Sequence, residues 1–296
     1  MTTKPWVCET CGNHTYNEGV TPPDACVICE DDRQWVPAGG QRWTTLEAMA
    51  ADGYRTEVRE VEPGLMGVGA EPVIGIGQRG LILRTDGGNV LWDPSPYIDE
   101  AAVQAVRDAG GLSAVTASHP HFYGAIVEWS RIFDAEILLP QVDIHWLSRP
   151  ASIEPLVRTW SDTLPVFDGV TLIQCGGHFP GSSVLHWAEG ADGMGVLLTG
   201  DTINISPGED RVAFLYSAPN RLPLPERGVH GVVEAVQPYS FDRMYAHWWA
   251  PAIRRDAQRV LKESTEHYLK FMRGDAPEWV AEGHSHSHGH PHGHAH

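Results

Sequence analysis

Four cysteines near the N-terminus fall into two pairs, Cys8-x2-Cys11 and Cys26-x2-Cys29, with fourteen residues between them. Two such knuckles offer four thiolates, a donor set that matches tetrahedral zinc or iron. An ion held there can tie down a segment too short to fold by burial alone. Disulfides or free thiols are the plainer alternative. The fifth cysteine, Cys175, stands alone in an apolar run and reads as packing.

A second set of donors lies farther along. The stretch "TASHPHFYG" puts His119 and His121 on either side of Pro120, straight after an apolar run. Proline disfavours the helical region for the residue before it and fixes its own φ at roughly −65°. In an extended segment residues i and i+2 face the same way, so both imidazoles can aim at one point. Two donors do not make a metal site, and three other stretches supply more. "CGGHFPGSS" sets His178 after an apolar run, "VLLTGDT" sets Asp201 after another, and "RMYAHWW" ends a third on His247. Each has a bland alternative: an Asp after a strand and a Gly is often a turn or cap residue, and a lone histidine is often only a satisfied polar group. Their joint occurrence at predicted strand ends, where open α/β folds place their sites, points to one centre.

The elements that must position these residues can be read coarsely. Residues 1–36 are rich in Cys, Gly and Pro and form a small module; 37–72 read as a connector with one short helix near 44–51. From 73 the runs "VIGIG", "LILRT" and "NVLWD" suggest an antiparallel meander. Helices follow at 98–109 and 124–133, around strands 112–117 and 136–140, with a short helix from 141. Strands at 169–175, 183–188, 195–200 and 242–247 come next, with helices near 224–236 and 253–272. A meander followed by alternation predicts an α/β fold with two sheets packed between outer helices over 73–273. The remainder, 274–296, ends in "HSHSHGHPHGHAH", thirteen residues with almost nothing that could pack, and is expected to be a disordered tail.

With 42% hydrophobic residues in 296, the chain can bury a large core. A formal net charge of −17 argues against nucleic acid or an anionic membrane as the main partner, but not against a small anionic substrate at a metal. No apolar stretch approaches the length of a membrane span, and the close cysteine pairs suit a reducing compartment. The expectation is a soluble, cytoplasmic protein.

The order His-x-His, Gly-His-x-Pro-Gly-Ser, Thr-Gly-Asp and a late strand-terminal His resembles the metallo-β-lactamase superfamily, and "VLWDP" with Asp93 fits its early strand-end aspartate. "CETCG" is similar to the first knuckle of rubredoxin-like modules and zinc ribbons; "CVICE" lacks the Pro and Gly usual in rubredoxins, which favours structural zinc over redox iron. The resemblance spans roughly 73–270 and implies an αββα sandwich of two mixed sheets with a metal at one edge. One departure stands out. The family's run His-x-His-x-Asp-His has Tyr123 and Gly124 where its second-metal Asp and His belong. The implied centre therefore holds one ion, on His119, His121 and His178, with Asp201 as fourth ligand. Putting Asp at 123 and His at 124 is expected to add a second ion.

On this reading the protein is a metal-dependent hydrolase that uses a metal-bound hydroxide on an ester, thioester, lactone or phosphodiester. Asp201 ligates the ion or orients water, His247 stabilises an oxyanion or protonates a leaving group, and Tyr123 donates a hydrogen bond to the substrate. The segment 202–224, with Trp248 and Trp249, is expected to line an apolar pocket. Zinc is expected at both sites, with iron possible at either. Two alternatives stay open: an iron-dependent oxidoreductase with the four-cysteine site as electron relay, and a non-catalytic metal-handling protein served by the His-rich tail.

Overall fold

The computed structural model describes residues 4–17 and 21–275. The His-rich segment expected to be disordered lies, from residue 276 on, outside the described residues.

Two sheets form the centre of the molecule. The first has seven strands: β4 (Arg55–Glu62), β5 (Leu65–Glu71), β6 (Gly80–Leu83), β7 (Val90–Trp92), β8 (Ala114–Thr116), β9 (Glu136–Pro140) and β10 (Val157–Trp160). Their order is β10-β9-β8-β7-β6-β5-β4, an antiparallel meander from β4 to β7 that continues as parallel strands to β10. Every residue of β6, β7 and β8 is buried. These strands are covered on both faces, which is why they read as unbroken apolar runs rather than alternating ones.

The second sheet is built from β11 (Thr163–Phe167), β12 (Val170–Gln174), β13 (Ser183–Trp187) and β14 (Val196–Leu198). After two small hairpins, β15 (Asn204–Ile205) with β16 (Val212–Ala213) and β17 (Leu215–Ser217) with β18 (Leu222–Pro223), it is completed by β19 (Arg243–Tyr245) and β20 (Ala252–Ile253). Leu81, Leu83 and Trp92 of the first sheet meet Leu172, Leu185 and Leu198 of the second in one buried cluster. Helices 100–108 and 126–133 pack on the outer face of the first sheet, and helices 226–236 and 257–273 on that of the second. The layers are therefore αββα, with mixed pairing in both sheets, as expected.

The chain between 37 and 72 is more than a connector. Strands β4 and β5 pair over seven registered positions and close one edge of the first sheet. Charged residues crowd β4, "RTEVREVE", because an edge strand faces water and charge there discourages pairing with another chain. That same charge hid the strand from an apolar-run reading. The run "VIGIG" forms no strand. The small module also extends past 36: β1 (Trp6–Cys8) pairs with β2 (His14–Thr15) and with β3 (Trp43–Thr44).

Glu62, at the end of β4, ties the two sheets together. Its carboxylate accepts from Arg243 (2.8 Å) and from the Tyr245 hydroxyl (2.6 Å), both on β19. The carboxylate is buried, so its removal strands the Tyr245 hydroxyl without its acceptor and leaves half-buried Arg243 with only the exposed Asp192. Glu62→Ala should cost about 2–4 kcal/mol, below the full penalty of a deeply buried pair because Arg243 keeps some water. The midpoint of denaturant unfolding checks this.

Candidate metal centre

Each donor of the histidine set sits just past a strand of one sheet or the other, at the edge where the two sheets meet. His119 follows β8 and is extended (φ −168°, ψ 170°), as the proline after it requires. Pro120–Phe122 then forms a 3-10 turn, so the alternation of an extended strand is not what aims His121. The turn brings the two rings together instead, with centroids 4.9 Å apart and planes at 75°. His178 follows β12 after Gly176 and Gly177, Asp201 follows β14, and His247 follows β19.

One donor atom from each of His119, His121, His178 and Asp201 lies within 4.8 Å of all the others, and all four residues are buried. His178 Nε2 is 3.3 Å from His121 Nδ1, and His119 Nε2 is 3.6 Å from Asp201 Oδ2. Ligands at about 2.0–2.1 Å around a tetrahedral ion stand about 3.3–3.4 Å apart, so the set has the size of a zinc-type site.

The protonation pattern agrees. The Leu215 carbonyl can only accept, so His178 Nδ1 donates to it (3.1 Å) and Nε2 keeps its lone pair. Ser118 Oγ lies 2.8 Å from His119 Nδ1 and occupies that nitrogen, while His119 Nε2 has no partner. Ser118 is fixed in turn by Asp93, whose Oδ1 accepts from the Ser118 N–H at 2.6 Å. Burial, reinforced by the neighbouring His178, pushes His119 and His121 far below the usual imidazole range, and burial takes His178 down to about 4. Neutral rings at pH 7 present lone pairs, as a metal ligand must. Burial also pushes Asp201 up to about 7 and Asp93 up to about 8. A cation among these groups offsets that cost for Asp201.

His247 stands beside this set. Its Nδ1 is 3.5 Å from Asp201 Oδ1, neither ring nitrogen has a partner, and burial drives its pKa well below the ordinary value. The ring lies between Phe122 (centroids 4.2 Å apart) and Trp248 (3.6 Å). Among the described residues, the groups of three or more donors that could hold an ion are this set of three histidines with one aspartate and the four cysteines.

Three expectations are corrected. Tyr123 is buried and its hydroxyl donates to the Asp143 carbonyl (3.3 Å), so it packs beneath the site and does not present a hydrogen bond to substrate. Gly124 is not an empty family position waiting for histidine: its φ is +41° and a Cβ would lie 2.4 Å from the Pro94 carbonyl oxygen. The aromatic pocket is also rearranged. Trp249 lies beside Arg59 (4.4 Å) and Arg79 (5.3 Å), and Trp248 Nε1 donates to the Ile76 carbonyl, so both indoles pack toward the first sheet. The segment 202–224 instead meets the N-terminal module, where Tyr216 donates to Asp32 and Ser217 to the Arg33 carbonyl.

The cysteines form a second donor set. Cys8 and Cys29 are 3.6 Å apart at sulfur, as are Cys11 and Cys26, close to the edge of about 3.8 Å that tetrahedral zinc with 2.3 Å bonds requires. All four are buried and none is in a disulfide. Gln41 Nε2 donates to Cys8 Sγ (2.9 Å) and Asn13 Nδ2 to Cys11 Sγ (3.6 Å). Neither contact was legible in the sequence, and neither was the role of Ser118.

Comparison with known proteins agrees with this geometry. Residues 80–237 match the family model described as the metallo-beta-lactamase superfamily. The chain is 36% identical over 272 residues to the "Uncharacterized protein YmaE" of Bacillus subtilis (strain 168), covering 91% of this chain and 97% of that one. Among solved structures, it resembles the DIM-1 metallo-β-lactamase (TM-score 0.53, 12% identity, 73% of this chain and 98% of that one). It also resembles FIM-1 from Pseudomonas aeruginosa in its mono-zinc form (TM-score 0.51, 13% identity, 72% and 95%). Such low identities speak for the shared fold alone; the family match and the close relative go further, and the chain belongs to the metallo-β-lactamase superfamily.

Proposed function

We propose that the protein is a mononuclear metal-dependent hydrolase acting in the cytoplasm on a small ester, thioester, lactone or phosphodiester. The observation that carries this reading is the convergence of buried His119, His121, His178 and Asp201, one donor atom from each within 4.8 Å of the others, with no hydrogen-bond partner for His119 Nε2. Bound there, a divalent ion supplies Lewis acidity, polarising a carbonyl or phosphoryl oxygen and making water acidic enough to ionise near neutral pH.

The chain's own residues have separate tasks. Ser118 and the Leu215 carbonyl lock His119 and His178 in their orientations, so the donor set is formed before the ion arrives. Asp201 turns one oxygen to His119 and the other to His247, so it would ligate an ion held by the histidines or orient a water beside His247. His247, held neutral by burial, keeps one N–H to donate to an oxyanion or to a departing group. Two donors, Asp201 and His247, are too few for a second ion, which supports a single-ion centre.

A screen of ester, thioester, lactone and phosphodiester substrates tests the proposal. Turnover of at least one class should disappear on dialysis against a chelator and return with zinc. Activity that survives removal of all metal sinks it. Return with iron alone, coupled to consumption of an electron donor, would instead favour the oxidoreductase reading.

A further inference from the structure

The cysteine module and the histidine centre share a wall, and two module side chains reach across it. Asn13 follows Cys11 by two residues and is buried. Its Nδ2 contacts Cys11 Sγ (3.6 Å) and donates to the backbone carbonyl of His121 (2.9 Å), while its Oδ1 accepts from the Gly124 N–H (3.2 Å). The second is Arg33, four residues after Cys29. Its Nε donates to the backbone carbonyl of His178 (2.7 Å), and its guanidinium lies 4.2 Å over Phe179 and 4.7 Å over Tyr216. Asp31 holds the same guanidinium at 2.8 Å, and Ser217 and Asn220 fasten the Arg33 and Asp32 carbonyls to the β17–β18 hairpin. The module backbone is also seated against the loop between β5 and β6, where a Cβ on Gly75 would lie 2.5 Å from the Gly12 nitrogen.

Two of the three candidate ligand histidines therefore have their own peptide carbonyls held by donors from the module. A carbonyl fixed in this way fixes the peptide plane from which the imidazole projects. Val7 of β1 packs with Met49, Ile74 and Tyr97, but the two knuckles themselves have only the four cysteines and Ile28 against Trp43, Ile76 and Trp146, so an ion among the thiolates is what would hold the knuckles, and with them Asn13 and Arg33, in place.

We propose that Asn13 and Arg33 are positioning residues for the histidine centre, and that occupancy of the thiolate cluster sets how tightly that centre holds its ion. The proposal rests on the reading of the histidines as a metal site. Because coupling between two equilibria is reciprocal, filling the histidine centre must tighten the thiolate cluster by the same factor.

Cobalt(II) titration of the full-length protein separates the two sites, since a tetrathiolate gives intense sulfur-to-cobalt charge-transfer bands that a histidine–carboxylate set lacks. His178→Ala serves as the control for ions bound elsewhere on the chain. If wild type shows no non-thiolate cobalt site that His178→Ala lacks, the metal reading itself fails, and this proposal with it. With that site present, Asn13→Ala and Arg33→Ala should each lower its affinity by about 10- to 100-fold, the usual cost of losing a group that orients a ligand, while the thiolate bands remain. Arg33→Lys, which can still reach the His178 carbonyl, should recover part of the loss. Cys26→Ser should lower the histidine-site affinity at least as much as either single change. Unchanged histidine-site affinity in Arg33→Ala and Cys26→Ser, both checked for folding by circular dichroism, overturns the coupling. So does a thiolate affinity, measured by chelator competition at a cobalt concentration that fills the wild-type histidine centre, equal to that of His178→Ala under the same conditions.

Discussion

His178→Ala is expected to empty the histidine centre, lowering bound metal by one equivalent against wild type and turnover by at least about 100-fold, since even groups that merely orient a ligand contribute 10- to 100-fold to metal affinity. His119 and His121 come from a single turn, whereas His178 arrives from the other sheet with its Nδ1 committed to the Leu215 carbonyl, so His178 is the histidine donor the other sheet contributes to the set. Among the described residues no further donor stands ready to replace it. His247→Ala is the contrasting case. Its ring flanks Asp201 without joining the set, so the ion should stay while turnover falls by roughly 100-fold, the scale of a lost proton donor. Metal content measured beside kcat separates the two. A His247→Ala protein that has also lost its ion would make His247 a ligand and end the division of roles proposed above.

The second large effect is at Gly124. Sequence pattern invites restoration of the family's second-metal residues at 123 and 124, but the backbone forbids it. Any side chain at 124 sets a Cβ 2.4 Å from the Pro94 oxygen and forces a β-carbon onto φ +41°. Neither atom is at the free end of a flexible group, so relief requires moving the strand-end loop that carries Asp93, which in turn fixes Ser118 and His119. Gly124→Ala alone should cost about 2–4 kcal/mol, combining backbone strain with a core-type clash. Tyr123→Asp with Gly124→His should lower stability further, since it buries a carboxylate in place of a phenol, and should gain no ion. Equilibrium unfolding with metal analysis on the same samples checks both statements. A Gly124→Ala protein as stable as wild type would reopen the second position.

Much of the centre was legible because its ligands follow short strands with apolar residues at their buried positions. β8, β12, β14 and β19 are covered by layers on both sides, and a run that ends on His, Asp or Gly marks the sheet edge where a buried strand gives way to polar chemistry. The cysteine pairs were legible for a different reason: thiolates at that spacing have few other uses. Edge strand β4 was missed because its charged residues are there to keep an edge soluble, which erases the signal a buried strand gives.

The order of amino acids alone supplied the inventory: four thiolates, three histidines and an aspartate in a family order, and enough apolar strands and helices to build two covered sheets. It did so because ligand chemistry and burial are properties of residue type and local spacing. Folding in three dimensions settled which residues meet. It turned Tyr123 into packing under Asp143, closed Gly124 with the Pro94 carbonyl, and moved Trp249 onto the first sheet. It also laid Asn13 and Arg33 across the carbonyls of His121 and His178, over separations of 108 and 145 residues. Backbone carbonyls are present at every position and carry no sequence signature. A contact between a distant side chain and a carbonyl is specified by the packing of whole layers, and no local pattern announces it.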